Sequence, residues 1–478
     1  MAKYKNYQPE RIYLTVIDPD KIKKDNPLLK TIHEFVENHV SLDLFTKKAR
    51  NQNTGAPRIH PKALLKVLFF AFASGIYSSR KIEKKLEYDH NFIFLSDQQG
   101  IDHVSICIFI NEYGKEIKEI FTKMTYILRQ SGLIDYELLA IDGTKIRANV
   151  SNEFSGTIKD FKEKKERIEK KINKILNEIR LADTREEEQR QEKKRKRFER
   201  QKEKIESFLQ EVEKEEKASE GKVNLTDQEA RYVKDQRQIY MGFNAQNAVD
   251  AKHHFIVESE VYNQASDRSL FVPFMEKTIQ NLEPEVKINE TVLDAGYYSS
   301  ENILYGEKEF TAYIPEGKDE KYTRKKKPGA IESRDCELSR EGENAKLVCP
   351  GGQIMIKETA SKTVHGEFYR FFAKKSICDQ CGYKSRCFKN LKRQKKFEVK
   401  KEYFESLEAR QRMSERINSV EGRKKYQRRA CIVEHVFGEI KEHYGFRKFM
   451  RKGLAKANVI WKLICMGYNF RKMAKLMA

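Results

Sequence analysis

The charged segment between residues 155 and 237 constrains the fold of this chain more than any other feature. It is rich in Lys, Arg and Glu and has almost no Gly or Pro, the residues that usually interrupt helices. Two sets of apolar residues recur within it at the spacing of a helical seam: Ile168, Ile172, Ile175, Ile179, and Ile205, Leu209, Val212. They predict an antiparallel helical hairpin broken near Ala182-Asp183-Thr184, where Asp or Thr can cap the second helix. The hairpin is either a solvated spacer or an arm that contacts DNA or a second subunit.

Strand patterns flank this hairpin on both sides. Residues 138–141 form an apolar run, residues 241–249 alternate in part, and residues 255–261 follow a turn at 250–252. Further strands are expected at 288–293 and 312–314, with a helix at 269–282. Strands mixed with helices predict an α/β core that the charged hairpin interrupts.

Residues 1–135 are expected to form a helical N-terminal domain. Pro61 suits the first position of a helix over 62–74, and Gly75 ends that helix. Ser78 or Ser79 can cap a short second helix over 80–88, and Asp102 a third over 103–129. A helix, a tight turn and a basic helix resemble a helix-turn-helix unit, but a plain helical bundle fits the pattern equally well.

A second insertion covers residues 316–401, begins with a basic run at 318–328, and contains five of the eight cysteines. Four of these have the spacing C-x28-C-x2-C-x5-C and could hold a structural zinc ion tetrahedrally: Cys349, Cys378, Cys381 and Cys387. Cys336 and His365 are reserve ligands. The alternative is a set of reduced, metal-free thiols. The other three cysteines lie in apolar helical contexts and are expected in the core: Cys107, Cys431 and Cys465.

Three acidic residues lie in settings that suit a divalent metal site. Asp142 and Asp294 each end an apolar run, and Glu434 lies in a helical stretch over 432–441. Magnesium prefers hard oxygen ligands and keeps several waters, so three carboxylates suffice. Two such ions support phosphoryl transfer. Taken singly, each of these acids is more often a turn, cap or surface residue.

The charge balance indicates a polyanionic partner. The chain of 478 residues has 94 Lys+Arg against 72 Asp+Glu, a formal charge of +22, which favours nucleic acid. No secretory signal is visible at the N-terminus, and no apolar run is long enough to span a bilayer. We therefore expect a cytoplasmic protein with no membrane partner, whose cysteines are reduced or metal-bound.

The three acidic blocks together resemble the catalytic blocks of the DDE transposases, the enzymes of bacterial insertion sequences. The blocks are residues 141–149, 293–297 and 433–441. The third is similar to the Tyr-Arg-Glu-Lys signature of one group within that family, which Tyr426, Arg429, Glu434 and Lys441 can fill. Two residues separate Tyr426 from Arg429 and six separate Glu434 from Lys441, as that signature expects. Four separate Arg429 from Glu434, where the signature has three.

The resemblance implies a ribonuclease-H-like catalytic core built from residues 136–154, 238–315 and 402–478, into which the segments 155–237 and 316–401 are inserted. It implies that Asp142, Asp294 and Glu434 bind Mg²⁺ or Mn²⁺, and that Tyr426, Arg429 and Lys441 contact DNA. The expected reaction is cleavage at the inverted repeats of the element and strand transfer into target DNA. A homodimer associated with the bacterial nucleoid would hold the two element ends. The alternatives are a nuclease of the same fold without strand transfer, or a catalytically silent DNA-binding relative.

Overall fold

A computed structural model describes residues 17–46, 58–181, 184–214, 222–235, 238–317, 331–341, 344–363, 366–387 and 395–477. The basic run at 318–328 and His365 lie outside these residues. The chain forms two compact units, the first of residues 1–124, 440–451 and 455–478, and the second of residues 125–439 and 452–454. Within the described ranges, no helix combines the length and the apolar character needed to cross a membrane.

The N-terminal part of the first unit is helical, as predicted. Its helices are α1 (Pro19–Asp25), α2 (Pro27–His39), α3 (Asp43–Thr46), α4 (Pro61–Ala73), α5 (Ser79–Tyr88), α6 (His90–Ser96), α7 (His103–Glu112) and α8 (Gly114–Gln130), the last of which continues into the second unit. Pro61 begins α4, and Gly75 follows it with φ +75°. Every residue from Ala63 to Ala73 is buried, and a helix buried on all sides lies in the centre of a core.

The single helix predicted over 103–129 is two helices. Asp102 caps α7 as expected, because its side chain accepts a hydrogen bond from the Ser105 N–H at 2.7 Å. The helix then breaks between Tyr113 and Gly114. A Cβ on Gly114 would lie 2.8 Å from Cγ2 of Val459, so a glycine is needed for close packing, and glycine also weakens a helix.

The middle of the chain alternates strands and helices. Its strands are β1 (Leu138–Arg147), β2 (Ser155–Gly156), β3 (Val223–Asn224), β4 (Arg231–Asp235), β5 (Gln238–Asp250), β6 (Ile256–Tyr262), β7 (Glu290–Val292) and β8 (Thr311–Tyr313). Its helices are α9 (Ile158–Arg180), α10 (Arg185–Lys214), α11 (Phe271–Gln280) and α12 (Ser300–Glu309). The predicted α/β pattern is confirmed, including the hairpin of β5 and β6.

Six of these strands form one mixed sheet with β1 in its centre. β1 pairs antiparallel with β5 on one side and parallel with β7 on the other, and β7 pairs parallel with β8. The far edge of β5 is shared by β4 and β6, both antiparallel to it. Four successive residues of β1, Leu138 to Ile141, are buried, so both faces of the sheet are covered at this strand.

The charged insertion is the helical hairpin that its periodicity predicts. Lys165 pairs with Glu206 and Lys202 with Glu169, each at 2.9 Å, so α9 and α10 run antiparallel. Ile168, Ile205 and Leu209 are buried along the seam. The Thr184 hydroxyl accepts from the Glu187 N–H at 3.3 Å and caps α10. The short pair of β2 and β3 closes the hairpin at its base.

The cysteine-rich insertion contains a sheet that the sequence did not predict. Strands β9 (Glu337–Glu341), β10 (Asn344–Val348), β11 (Ile354–Thr363), β12 (Gly366–Phe372) and β13 (Lys396–Lys400) are antiparallel in the order β13-β12-β11-β10-β9. Helices α13 (Lys375–Asp379) and α14 (Lys384–Cys387) lie between β12 and β13. A small core of its own supports this sheet, including Leu347, Met355, Phe371 and Phe397.

The C-terminal part is a series of helices. They are α15 (Lys401–Glu405), α16 (Leu407–Asn418), α17 (Val420–Arg429), a π-helical turn (Ala430–Glu434), α18 (His435–Gly438), a second π-helical turn (Glu439–His443) and α19 (Leu454–Met477). The sequence-based division assigned residues 402–478 to the catalytic core. Residues 455–478 instead lie in the first compact unit, because α19 is buried along most of its length and packs on α4, where Gly467 lies against the backbone of Ala73.

Candidate active site

The sequence suggested that Asp142 lies at the end of a strand, but the residue lies in the middle of β1. The apolar run stops at Ile141, but the strand continues to Arg147 because it stays paired with β5. The Asp142 side chain is 18% exposed. One of its oxygens accepts from the Gly143 N–H at 2.8 Å. The strand therefore holds this carboxylate rigidly at the surface of the sheet.

Asp294 follows β7, as predicted. Its side chain caps a single 3₁₀ turn, Ala295–Tyr297, by accepting from the Gly296 N–H at 2.7 Å. In the parallel pairing of β1 and β7, Ala140 lies opposite Val292. Asp142 and Asp294 each follow this pair by two residues, and the charge of Asp294 is among those that act on Asp142.

The Arg429 guanidinium connects Asp142 to Glu434. One of its nitrogens lies 3.0 Å from Oδ2 of Asp142, and the other lies 2.9 Å from Oε1 of Glu434. The Arg429 side chain is 13% exposed, whereas that of Glu434 is 56% exposed. Glu434, the third predicted acid, is thus linked to Asp142 by the Arg429 guanidinium, and more than half of its side chain faces solvent.

A π-helical turn makes this bridge possible. An α-helix turns about 100° per residue, so residues four apart share a face and residues five apart do not. Arg429 and Glu434 are five apart, and the turn Ala430–Glu434 between them is π-helical. A π turn accommodates one extra residue. The additional residue that the sequence has between Arg429 and Glu434 is therefore absorbed locally, and both side chains keep a common face.

Burial and the charges of this cluster shift the pKa of Asp142 and that of Arg429. Burial raises the pKa of Asp142 to about 6; Arg429 opposes this rise, while Asp294 and Asp267 add to it. Burial alone would lower the pKa of Arg429, but the charges around it, Asp142 foremost, raise it. Arg429 is thus a permanent counter-ion in a group of carboxylates that would otherwise repel one another.

The donor set suits a hard divalent ion, but the described side chains are not arranged around one. No three His, Cys, Asp or Glu side chains within the described ranges are placed to share an ion. The physical reason at this site is that Arg429 supplies the positive charge between Asp142 and Glu434. Metal binding by the predicted triad therefore requires the guanidinium to move, and the ligand assignment stays a prediction.

A fourth acid, Asp267, lies next to this cluster and was not found from the sequence. It follows β6 and accepts from the Lys145 ammonium at 2.8 Å, from the Asn244 amide at 2.7 Å and from the Gln246 amide at 2.8 Å. Lys145 is 11% exposed and Asn244 and Gln246 are fully buried. All three donors meet at Oδ1 of Asp267, and Lys145 also reaches Oδ2 at 3.0 Å, so the carboxylate holds these three side chains in place. The signal in the sequence that could have pointed to this network was the alternation of polar residues in β5, where Asn244 and Gln246 lie two residues apart.

This polar network connects β1, which carries Asp142, with the turn that follows Asp294. Tyr297, fully buried, donates its hydroxyl hydrogen bond to Oε1 of Gln246. A Cβ on Gly143 would overlap the Gln246 amide and would lie 2.8 Å from Oδ1 of Asp267. Glycine is therefore required next to Asp142, and Tyr297 ties the turn after Asp294 to the same amide.

The three predicted DNA contacts fall in different places. Arg429 lies in the acidic cluster, and Tyr426, one turn earlier, is among the groups whose charge raises the pKa of Arg429. Lys441 lies in the second π-helical turn and belongs to the first compact unit. DNA contact by these residues stays a prediction.

The four predicted zinc ligands line one small cavity in the cysteine-rich insertion, and Cys336 does not line it. Of the cysteines expected in the core, Cys465 is buried, Cys107 is half-buried and Cys431 is exposed. Cys431 was misplaced because the π turn rotates it out of the apolar face formed by Ile432 and Val433.

Two transposase family models match the chain. A family described as "Transposase DDE domain" matches residues 348–474, which include Glu434 and the four cavity cysteines but not the two aspartates. A second family, "Transposase domain (DUF772)", matches residues 18–112, which lie in the helical N-terminal region. No curated protein sequence matches the chain.

Among solved structures, a cryo-EM structure of a piggyBac transposase synaptic complex with hairpin DNA is similar at 10% identity, covering 96% of this chain and 75% of that chain, with a TM-score of 0.28. A likeness this weak carries no argument for the fold. Two transposase family models thus match separate segments of the chain, and together they support a DDE transposase of an insertion sequence.

Proposed function

We propose that this transposase cleaves DNA at the inverted repeats of its element and joins the released ends to target DNA. The observation that carries the proposal is the gathering of Asp142, Asp294 and Glu434 around one guanidinium, that of Arg429. Carboxylates that are held close together despite their mutual repulsion and the burial of Asp142 are typical of a site that binds a cation or activates a nucleophile.

The sheet supports a ribonuclease-H-like core for this reaction. An antiparallel series of three strands, β6, β5 and β1, continues into the parallel strands β7 and β8. The arrangement brings a central strand and its parallel neighbour side by side, and these carry Asp142 and Asp294. The helix with Glu434 packs on β1 and β5. The acids are thus supplied by three elements of one core.

Mg²⁺ or Mn²⁺ is the cofactor that this donor set fits, with Asp142, Asp294 and Glu434 as its ligands. When bound, such ions lower the pKa of an attacking water or 3′-hydroxyl and stabilise the leaving oxygen. The residues of the chain position the acids and contact the DNA backbone. β1 and the turn after β7 hold the aspartates, and Arg429 is displaced from Asp142 and Glu434 toward a DNA phosphate. Tyr426 and Lys441 are proposed as further phosphate contacts.

The face of α10 supports the DNA-contacting alternative for the helical hairpin. Lys193, Lys196, Arg197, Arg200 and Lys204 recur at helical spacing along one exposed groove. They extend over about 16 Å of helix, and Glu153 is the carboxylate paired with Arg197, at 3.5 Å. A row of cations at this spacing fits a nucleic-acid backbone better than it fits a spacer. A homodimer would present two such arms, one to each element end.

Cleavage of a labelled duplex that carries the terminal repeat flanking the gene tests the proposal. We expect Mg²⁺-dependent nicking and joining by the wild type. Asp142→Ala should abolish both while DNA binding is kept, and Asp20→Ala, at a side chain that is 93% exposed, should change neither. DNA affinity should fall steeply as salt rises, because phosphate contacts release counterions.

The same experiment separates the alternatives. Nicking without joining in all target substrates would indicate a nuclease of the same fold. Binding without nicking in Mg²⁺ and in Mn²⁺ would indicate a silent relative. Undiminished cleavage by Asp142→Ala would overturn the proposed site.

A further inference from the structure

Four cysteines from three separate segments line one cavity beneath the small antiparallel sheet. Cys349 follows β10, Cys378 lies in α13, Cys381 follows it, and Cys387 ends α14. The cavity has a volume of about 20 Å³. One water-sized occupant needs at least about 10–15 Å³ on this measure. The space therefore fits a single atom or ion and nothing larger.

Two tight turns present these cysteines to the cavity from opposite sides. The Gly352 N–H donates to the Cys349 carbonyl at 2.8 Å, with Gly352 at φ +80°. The Cys381 N–H donates to the Cys378 carbonyl at 3.3 Å. A Cβ on Gly351 would lie 2.8 Å from Sγ of Cys381 and 3.7 Å from Sγ of Cys349. The first turn therefore approaches the second so closely that only glycine fits between their sulfurs.

The surroundings suit a site with negative ligands. Lys395 lines the cavity, and its ammonium donates to the Cys387 carbonyl at 2.7 Å and to the Ile331 carbonyl at 3.1 Å. Lys384 also lines the cavity. Four thiolates around a divalent ion carry a net charge of −2. Lys395 would compensate part of it, whereas the Lys384 ammonium is paired with Asp379 at 2.9 Å.

The four sulfur atoms do not surround one common position. Among the residues that the structure describes, no three metal-binding side chains are close enough to share an ion. One reason is that the Cys378 thiol donates to the Gln353 side-chain oxygen at 3.6 Å. Rotation about its Cα–Cβ bond to another staggered position moves the sulfur without moving the backbone.

We propose that Cys349, Cys378, Cys381 and Cys387 bind one structural zinc ion in this cavity. Zinc prefers four soft ligands in a tetrahedron and needs little space beyond them. Cys336 is not a ligand: it is 8% exposed, does not line the cavity, and donates its thiol to the Glu332 carbonyl at 3.6 Å. The ion holds α13 and α14 against a sheet whose core is small, which is where a metal adds most to folding.

Metal analysis of the full-length protein, purified from zinc-supplemented cells and dialysed without chelator, tests this site. We expect one zinc per chain in the wild type and an intense sulfur-to-cobalt absorption after exchange with Co²⁺. Cys378→Ser and Cys381→Ser should each lose the zinc. Cys336→Ala, in the same insertion, and Cys107→Ser, in the first unit, should each keep it.

Thiol counting gives the second measurement. In the wild type under native conditions, four thiols should become reactive only after a chelator removes the zinc. A wild type that binds no zinc and exposes all its thiols, a disulfide between any of the four cysteines, or full zinc retention in Cys378→Ser would each overturn the proposal. If the serine variants fail to fold, the chelator experiment on the wild type still decides it.

Discussion

Arg429 and Glu434 form an ion pair of 2.9 Å although they are five residues apart in one helix. The pairing depends on the π-helical turn between them, and the same guanidinium also holds Asp142. One cation therefore occupies the space between two acids of the proposed triad. A metal ion bound by the proposed triad would have to compete with this guanidinium for the same carboxylate oxygens.

We expect Arg429→Gln to bind Mn²⁺ about tenfold more tightly than the wild type in the absence of DNA. Removing the guanidinium frees two carboxylates and removes a repelling charge, and tenfold corresponds to about 1.4 kcal/mol. Isothermal titration calorimetry gives the affinity. Arg428→Gln, at the exposed neighbour, should leave it unchanged. Unchanged or weaker binding in Arg429→Gln would show that the arginine does not compete with the ion.

Gly143→Ala should destabilise the second unit by about 1–3 kcal/mol, the usual cost of an overfilled core. The added methyl would overlap the Gln246 amide and crowd Asn244 and Asp267, and so displace the network between the two aspartates. Gly100→Ala is the matched control, because nothing lies within 4 Å of its Cβ and its φ is not positive. Urea midpoints measure the difference. Equal midpoints for the two variants would contradict the proposed crowding.

Asp267→Asn should cost about 3–5 kcal/mol, because it leaves the Lys145 ammonium, 11% exposed, without a carboxylate. The double variant Lys145→Met/Asp267→Asn should recover part of that loss, as a double-mutant cycle would show. Metal affinity should change little, because three donors already hold the Asp267 carboxylate. A large loss of Mn²⁺ binding in Asp267→Asn would instead identify this residue as a fourth ligand.

Asp142→Asn should stabilise the metal-free protein at neutral pH. The pKa of Asp142 is raised to about 6 in the folded chain from an ordinary value of 3.8, so its ionisation costs stability. The wild type is unaffected below about pH 4 and loses stability as the pH rises through 6. The variant cannot ionise, and its advantage should grow over that range toward the order of 3 kcal/mol. Urea midpoints from pH 4 to 8 in EDTA test this; an advantage that is constant with pH would argue against the raised pKa.

Patterns within short stretches of the sequence predicted most of the helices and strands of the core. The seam of Ile168 and Ile205, the turn at Asp250 and the cap at Asp102 depend on neighbours in sequence, and each is confirmed. Features that depend on distant partners were missed. Asp142 lies inside a strand because β5 pairs beyond it, Gly114 breaks a helix because Val459 packs there, and Asp267 joins the site through Lys145, 122 residues away.

The neck of the helical hairpin, where β2 pairs with β3, determines how the arm could be exchanged. Ser155 pairs with Asn224 and Gly156 with Val223, and the fully buried Asn224 amide donates to the Ser151 carbonyl at 2.8 Å. The insertion thus leaves and re-enters the core at adjacent points. A short linker across that neck could replace the whole arm without disturbing the strand that carries Asp142. The arm can therefore be shortened, lengthened or removed as one unit while the pairing of β1 with its neighbours is kept.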